Sequence, residues 1–196
     1  MNFGILDLEM TCDGRQEYTK FIDDGRMPHS EREIISVGFI IVDDNYELKK
    51  IYKTFVKPAH CARLTDYCKN LTGINQSDVD GGKKCNDAFQ YIKKFCFKYR
   101  VEKIITFGNG DKTAIKSSAK FCKKAKEPFK NLYIISSKIV DVRPKIFEIL
   151  NLNNKEKGLG LLKVAESLKI NCNKNHNALN DVLLLREICK KINLKI

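Results

Sequence analysis

The run Phe3-Gly4-Ile5-Leu6-Asp7-Leu8-Glu9-Met10 decides the fold. It is apolar on both alternating faces except at Asp7 and Glu9, which is the pattern of a central strand covered on both sides. Successive strand residues point to opposite faces, so Asp7 and Glu9 project from the same side as Phe3 and Ile5. Two ionised carboxylates on an apolar surface are costly unless a cation compensates them, and hard oxygen ligands of this kind suit Mg²⁺ or Mn²⁺. The other reading of a bare pair is an acidic strand end in water.

Working outward, Ile34 to Val42 and Ile51 to Val56 are two further strand-like runs, joined by the polar turn Asp43-Asp44-Asn45-Tyr46-Glu47 as an antiparallel hairpin. Residues 64 to 72 and 85 to 99 have helical patterning, the second with Ala88, Ile92, Phe95 and Tyr99 on one face, and Gly81-Gly82 separates the two. Lys103 to Phe107 is a short strand and Gly108-Asn109-Gly110 a turn. Asp111 then opens a helix carrying Ala114, Ile115, Ser118, Cys122 and Ala125. A short extended or helical piece spans Val140 to Leu150, and Gly158 to Leu168 and Ala178 to Ile192 are two more helices. Strands first and helices after imply an α/β fold on a mixed central sheet flanked by helices. Residues 13 to 32, charged and with Gly25 and Pro28, are long enough for a functional loop or lid.

Composition sets the outer limits. With 196 residues, 43% hydrophobic and 31% charged, the chain is expected to be one domain over residues 1–196 and neither disordered nor membrane-embedded. The longest apolar run, Val37 to Val42, is far short of the roughly 20 residues that span a bilayer. The N-terminus has no basic segment of a secretory signal, so a cytoplasmic protein is expected. Cysteines at 12, 61, 68, 85, 96, 122, 172 and 189 form no Cys-x-x-Cys pair, so reduced thiols are expected. Cys96, Cys122 and Cys189 fall on apolar helix faces, where a thiol acts as a small hydrophobe. The net charge of +12 attracts polyanions, nucleic acid first among them, although a lysine-rich composition also simply solvates a surface.

Three more residues extend the acid pair. Asp181 lies on the stripe of Leu185, Ile188 and Ile192 that faces the core, although a first-turn Asp is also favoured by the helix dipole. Asp111 follows a strand and a glycine turn, where it is either an N-cap or a further inward acid. On a continuous helix His176 would sit roughly 140° from Asp181. Asn175 and Asn177 favour a helix start near Asn177, leaving His176 on the connector facing the acids as a general base. Gly108 to Thr113 does not reproduce the spacing of a phosphate-cradling P-loop.

These residues resemble the DEDDh family of 3′-5′ exonucleases, whose four acids and one histidine occur as D-x-E, a central D and H-x-x-x-x-D. Here they are Asp7 and Glu9, Asp111, and His176 with Asp181. The ERI-type, KapD-like exoribonuclease branch is resembled in particular. The residues are Asp7 to Cys12, Glu33 to Gly38, Phe55-Val56-Lys57-Pro58 and Leu64 to Ile74, and the likeness covers roughly residues 3 to 190. One departure is that the family's aromatic before the central acid is Gly110 here.

The resemblance implies an RNase H-like mixed sheet, an antiparallel hairpin of the first three strands plus parallel strands. It also implies two-metal hydrolysis from the 3′ end of single-stranded RNA or DNA, with RNA favoured. Asp7, Glu9, Asp111 and Asp181 would hold two Mg²⁺ or Mn²⁺, and His176 would take the proton of the attacking water. Met10 would pack against a terminal base, or else into the core, and Thr11 would touch the sugar. Setting the four acids aside leaves 36 basic against 20 acidic residues. Lys112 and Lys174, beside the site residues, are candidates for positioning phosphates or are merely solvated. A catalytically silent nucleic-acid-binding protein on the same fold is the competing reading, as is a DNA-directed 3′-5′ exonuclease.

Overall fold

In a computed structural model that describes residues 1–12, 32–61, 63–152, 159–171 and 177–196, the sheet is built around the strand expected to be central. Strand β1 (Asn2–Met10) has β2 (Ile34–Asp43) on one side and β5 (Ile104–Thr106) on the other. The six-stranded order is β4-β3-β2-β1-β5-β6, with β3 at Leu48–Lys57, β4 at Lys83–Lys84 and β6 at Ile139–Asp141. β1, β2 and β3 pair antiparallel, whereas β1 with β5, β5 with β6, and β3 with β4 pair parallel. This is the mixed sheet expected, and the hairpin turns where expected. Asp43 Oδ1 accepts from the amides of Asn45 (3.0 Å) and Glu47 (2.9 Å), a local bond that favours a turn over a continued ladder.

Both faces of the sheet are covered, as the apolar runs of β1 and β2 require. On one face Leu6, Leu8, Val37, Phe39 and Ile41 pack against α3 (Cys85–Lys98), α4 (Gly110–Lys124) and α5 (Lys130–Ser136). On the other, Phe3, Ile5, Ile40 and Val42 pack against α6 (Arg143–Ile149), α7 (Leu161–Ser167) and α8 (Ala178–Lys191). A third cluster of Ile35, Leu64, Cys68, Ile74 and Val79 seats α1 (Asp66–Thr72) and α2 (Gln76–Asp80).

The differences from expectation are local. β3 begins at Leu48, three residues early, because its ladder with β2 runs up to the turn. α2, β4 and α5 are too short for a periodic signal to reveal. Ala125 is exposed and Phe121 buried, so the inner face of α4 is set by Phe121 with Cys122. The Val140 to Leu150 segment resolves into both alternatives, strand β6 followed by helix α6, with Pro144 in the first turn where its missing N–H costs nothing. Cys96, Cys122 and Cys189 are buried, and no disulfide joins the seven described cysteines. Among the described residues no helix is long and apolar enough to cross a membrane. Nearly all of the expected loop, residues 13–31, lies outside the described residues.

Candidate active site

The C-terminal half of β1 carries Asp7 and Glu9 on the face shared with Phe3, Ile5 and α8, as strand alternation dictates. Helix α8 brings the third acid. Asn177 caps it, its side chain accepting from Leu179 N at 3.1 Å, and Asp181 lies in the first turn. Behind Asp181, Leu185 and Ile188 are buried, so the stripe read from the sequence does face the core. α8 comes this close because the residue opposite Asp7 on β2 is Gly38. A Cβ there would stand 2.2 Å from the carbonyl oxygen of Ala178, so only glycine lets the start of α8 rest on the sheet. As a result, carboxylate oxygens of Asp7, Glu9 and Asp181 lie within 4.8 Å of one another.

Asp111 arrives from the other face, by a backbone argument. β5 is short and pairs with β1 only at Gly4 and Ile5. Gly4 N donates to Lys103 O at 2.9 Å, so the amides of alternate residues, Leu8 among them, point toward the β5 side. Beyond Thr106 the chain leaves the sheet through Gly108, at φ +98°, and its amide donates to Asp141 Oδ1 at 2.8 Å. The helix that follows puts Asp111 Oδ1 3.0 Å from Leu8 N, supplying the acceptor that β5 no longer provides. The N-cap of α4 is Asn109 rather than Asp111, and Asp111 is an inward acid, 7% exposed.

The electrostatics of the cluster are repulsive. Burial, then Asp111, Asp181 and Glu9, push Asp7 well above the carboxylate range. Burial pushes Glu9 up to about 7, with Asp181, Cys68 and Asp111 adding to it. Burial also carries Asp111 to about 7 against the opposing bonds from the Leu8 amide and its own backbone, while Asp141 and Asp181 push it further up. Among the described residues, the groups that raise Asp7, Glu9 and Asp111 are mainly neighbouring carboxylates. An array of hard oxygen donors crowded this closely has the chemistry of a divalent-cation site.

Of the other residues singled out from the sequence, Met10 is half-buried against the α3 side of the core. Thr11 is buried, and its Oγ1 accepts from Glu33 N at 3.0 Å. Lys112 is half-buried on the first turn of α4. Lys174 and His176 lie outside the described residues, although the helix start at Asn177 is as expected.

Two supports were not singled out as part of the site. Glu33, 2% exposed, accepts through Oε1 from Ala59 N (2.7 Å) and through Oε2 from His60 N (3.0 Å) and Cys61 N (2.6 Å). Its signal was a charge placed directly before the apolar run of β2. Cys68, on α1, lies by Met10, with Sγ 3.6 Å from the Met10 carbonyl, and Thr65 Oγ1 donates to Cys12 O at 2.7 Å. Together they fasten the end of the strand that bears the acids.

Comparison with known proteins gives a consistent picture. The RNase_T family model, described as Exonuclease, matches residues 5–189. ERI1 exoribonuclease 2 of Xenopus laevis is 31% identical over 119 residues, which are 60% of this chain and 16% of that protein, so the chain matches only a small part of that relative. The probable 3′-5′ exonuclease KapD of Bacillus subtilis (strain 168) is 27% identical over 191 residues, 96% of this chain and 82% of that one. The solved nuclease domain of 3′hExo, a DEDDh family member bound to rAMP, superposes with a TM-score of 0.78 at 18% identity, covering 97% of this chain and 90% of that one. That likeness carries the fold, the RNase H-like mixed sheet expected from the sequence.

Proposed function

Because the chain belongs to the RNase_T exonuclease family, we propose that it is a metal-dependent 3′-to-5′ exonuclease that hydrolyses the phosphodiester bonds of single-stranded nucleic acid, RNA in preference to DNA. The observation that carries this is the convergence of Asp7, Glu9 and Asp181 within 4.8 Å, with Asp111 anchored on the adjacent Leu8 amide and the carboxyls of Asp7, Glu9 and Asp111 raised by burial and by neighbouring carboxylates. The RNA preference rests on the relatives named as exoribonucleases.

Asp7, Glu9, Asp111 and Asp181 would hold two Mg²⁺ or Mn²⁺. When bound, such ions neutralise charge on a phosphoryl group and lower the pKa of a coordinated water. The rest is the work of the chain's own side chains. The hydrogen bond from Leu8 N fixes Asp111 Oδ1 beside the strand that carries Asp7 and Glu9. The backbone contact of Gly38 with Ala178 sets the distance from Asp181 to β1. His176, immediately before the N-cap Asn177, accepts the proton of the attacking water. Met10 and Thr11, next along the strand, meet the terminal nucleotide, and Lys112 and Lys174 meet its phosphates. Residues 1–196 act as one exonuclease domain in the cytoplasm, a setting that suits cysteines not joined in disulfides.

The test follows 5′-labelled single-stranded RNA and DNA of equal sequence in Mg²⁺, Mn²⁺ or EDTA, with Asp7→Ala as the control. A metal-dependent ladder shortening from the 3′ end, faster on RNA and absent from Asp7→Ala, is the expected result. Faster shortening of DNA would make the enzyme DNA-directed. Substrates that bind but stay intact in every metal would leave a nucleic-acid-binding protein instead.

A further inference from the structure

The edge strand β3 and helix α3 form a second surface with its own chemistry. β3 is flanked by β2 and by the two-residue β4, which pairs only with Val56 and Lys57, so the strand from Leu48 to Phe55 is a sheet edge. Tyr52 is in register with Phe39 and so faces α3. There Tyr91, one helical turn before Phe95, stacks on it with centroids 5.9 Å apart and planes at 25°. Phe95 meets the same ring edge-on at 5.6 Å. Ammonium groups surround this aromatic row: Lys50 Nζ is 4.9 Å from the Phe95 centroid, and Lys83 and Lys94 are 5.1 and 5.6 Å from that of Tyr91.

No Asp or Glu occurs from Leu48 to Lys57 or from Ala88 to Val101, which leaves Asp87 in the first turn as the acid of α3. Of the carboxylates nearby, two are paired with other lysines. Asp43 is bound by Lys49 at 2.7 Å, Glu127 by Lys84 at 2.9 Å, and Asp87 sits a helical turn before Tyr91. Among the described residues, none of Lys50, Lys83 and Lys94 is paired with a carboxylate. Lysines that only confer solubility extend into water, whereas here charge and ring are held together. Tyr91 is 40% exposed and Phe97, on the next turns of α3, 89% exposed.

Unpaired cations around a ring row that is half-buried at Tyr52 and Phe95 and exposed at Tyr91 match a ligand with both phosphates and accessible base faces, a single strand rather than a duplex, whose bases are already stacked. The surface is remote from the acids. Lys50 is in register with Ile41 and through it with Gly4, three residues back from Asp7, and Tyr52 lies on the opposite face of the sheet from Asp7. Two strand spacings separate β3 from β1, about 10 Å. We infer that Tyr52, Tyr91 and Phe95 with Lys50, Lys83 and Lys94 bind single-stranded nucleic acid several nucleotides upstream of the 3′ end held at the carboxylates. The inference rests on the nuclease reading for the direction of the strand, not for the binding itself.

The experiment compares a fluorescent oligouridylate of about 30 nucleotides with one of four, by anisotropy in EDTA and by hydrolysis in Mg²⁺. The Lys83→Glu/Lys94→Glu protein is expected to bind the long strand about tenfold more weakly at low salt and with a shallower salt dependence. Tyr91→Ala weakens it about fivefold with the salt dependence unchanged. Hydrolysis of the four-nucleotide strand stays within about twofold of the parent in both. Lys145→Glu/Lys163→Glu, the same charge change on the α6 and α7 side, leaves long-strand binding within about twofold. The inference is overturned if long-strand binding survives the β3 and α3 changes, if the α6 and α7 pair weakens it equally, or if the short strand suffers as much as the long one. Should the parent hydrolyse neither strand, the nuclease reading fails, and the anisotropy comparison still decides the surface.

Discussion

Gly38 lies against Ala178 backbone to backbone, and any side chain at position 38 would have to occupy the space of the Ala178 carbonyl. Because Gly38 is also the cross-strand partner of Asp7, this one contact sets how near Asp181 comes to Asp7 and Glu9. Gly38→Ala therefore has to move α8, since neither backbone can turn aside. Overpacking of this kind costs about 1–3 kcal/mol, and a displacement near 1 Å at reacting groups costs on the order of a hundredfold in rate. The expected outcome is a modest fall in melting temperature with hydrolysis down by about 10- to 100-fold. Gly110→Ala is the contrast, because a Cβ there meets nothing within 4 Å, and its activity should stay within about twofold of the parent. Steady-state kinetics at saturating Mg²⁺, with circular dichroism of each variant, checks both.

The raised acids make stability depend on pH and metal together. Glu9 and Asp111 titrate near 7 in the folded chain, against 4.5 and 3.8 as ordinary side chains. Between those limits the native state binds more protons than the unfolded state, so the metal-free protein loses stability as pH rises toward 7. Divalent cations replace those protons. Mg²⁺ or Mn²⁺ should raise the melting temperature strongly at pH 8 and little at pH 5.5, relative to EDTA. Asp7→Asn removes one repelling charge, so its metal-free form should melt above the parent at pH 8 while its response to metal shrinks. Thermal melts across pH, with and without EDTA, measure this, and a metal response equal at both pH values would refute it.

What the sequence makes legible follows the range of each signal. β1, the hairpin and the long helices show because each repeats its pattern over many residues. Asp7 and Glu9 show because a strand's alternation places them together without knowledge of the rest of the fold. Asp181 shows through its helical stripe, but Asp111 looks like an N-cap until β5 is seen to end too early to serve Leu8 N. Gly38 gives no such signal, since its reason is a helix start far along the chain. The row of Tyr52, Tyr91 and Phe95 is likewise hidden, because β3 and α3 each read as ordinary amphipathic elements until they are set side by side.

Glu33 is a third consequence of burial. Its two oxygens hold the amides of Ala59, His60 and Cys61, and that segment leads into Thr65 and Cys68, which fasten the end of β1. Glu33→Ala removes the acceptors of three part-buried donors, at a cost of about 1–3 kcal/mol. Urea denaturation should show the loss as a lower midpoint with an unchanged slope. Glu33→Gln, which keeps one acceptor oxygen, should fall between Glu33→Ala and the parent.

The role of His176 separates from that of the carboxylates by the way each limb of a pH-rate profile answers to metal. Protonation of Glu9 or Asp111 competes with cation binding, so any loss of activity it causes in acid moves to lower pH as the metal concentration rises. Protonation of a histidine base does not compete directly, and an unperturbed imidazole titrates near 6.5. At saturating Mg²⁺ the parent should therefore retain an acid limb between about pH 6 and 7 that more metal no longer shifts. His176→Ala should lose about 10²- to 10⁴-fold in kcat, and the limb with it, while metal-induced thermal stabilisation is kept. A limb that keeps moving with metal in the parent, or that persists in His176→Ala, would assign the acid loss to the carboxylates and remove His176 from the mechanism.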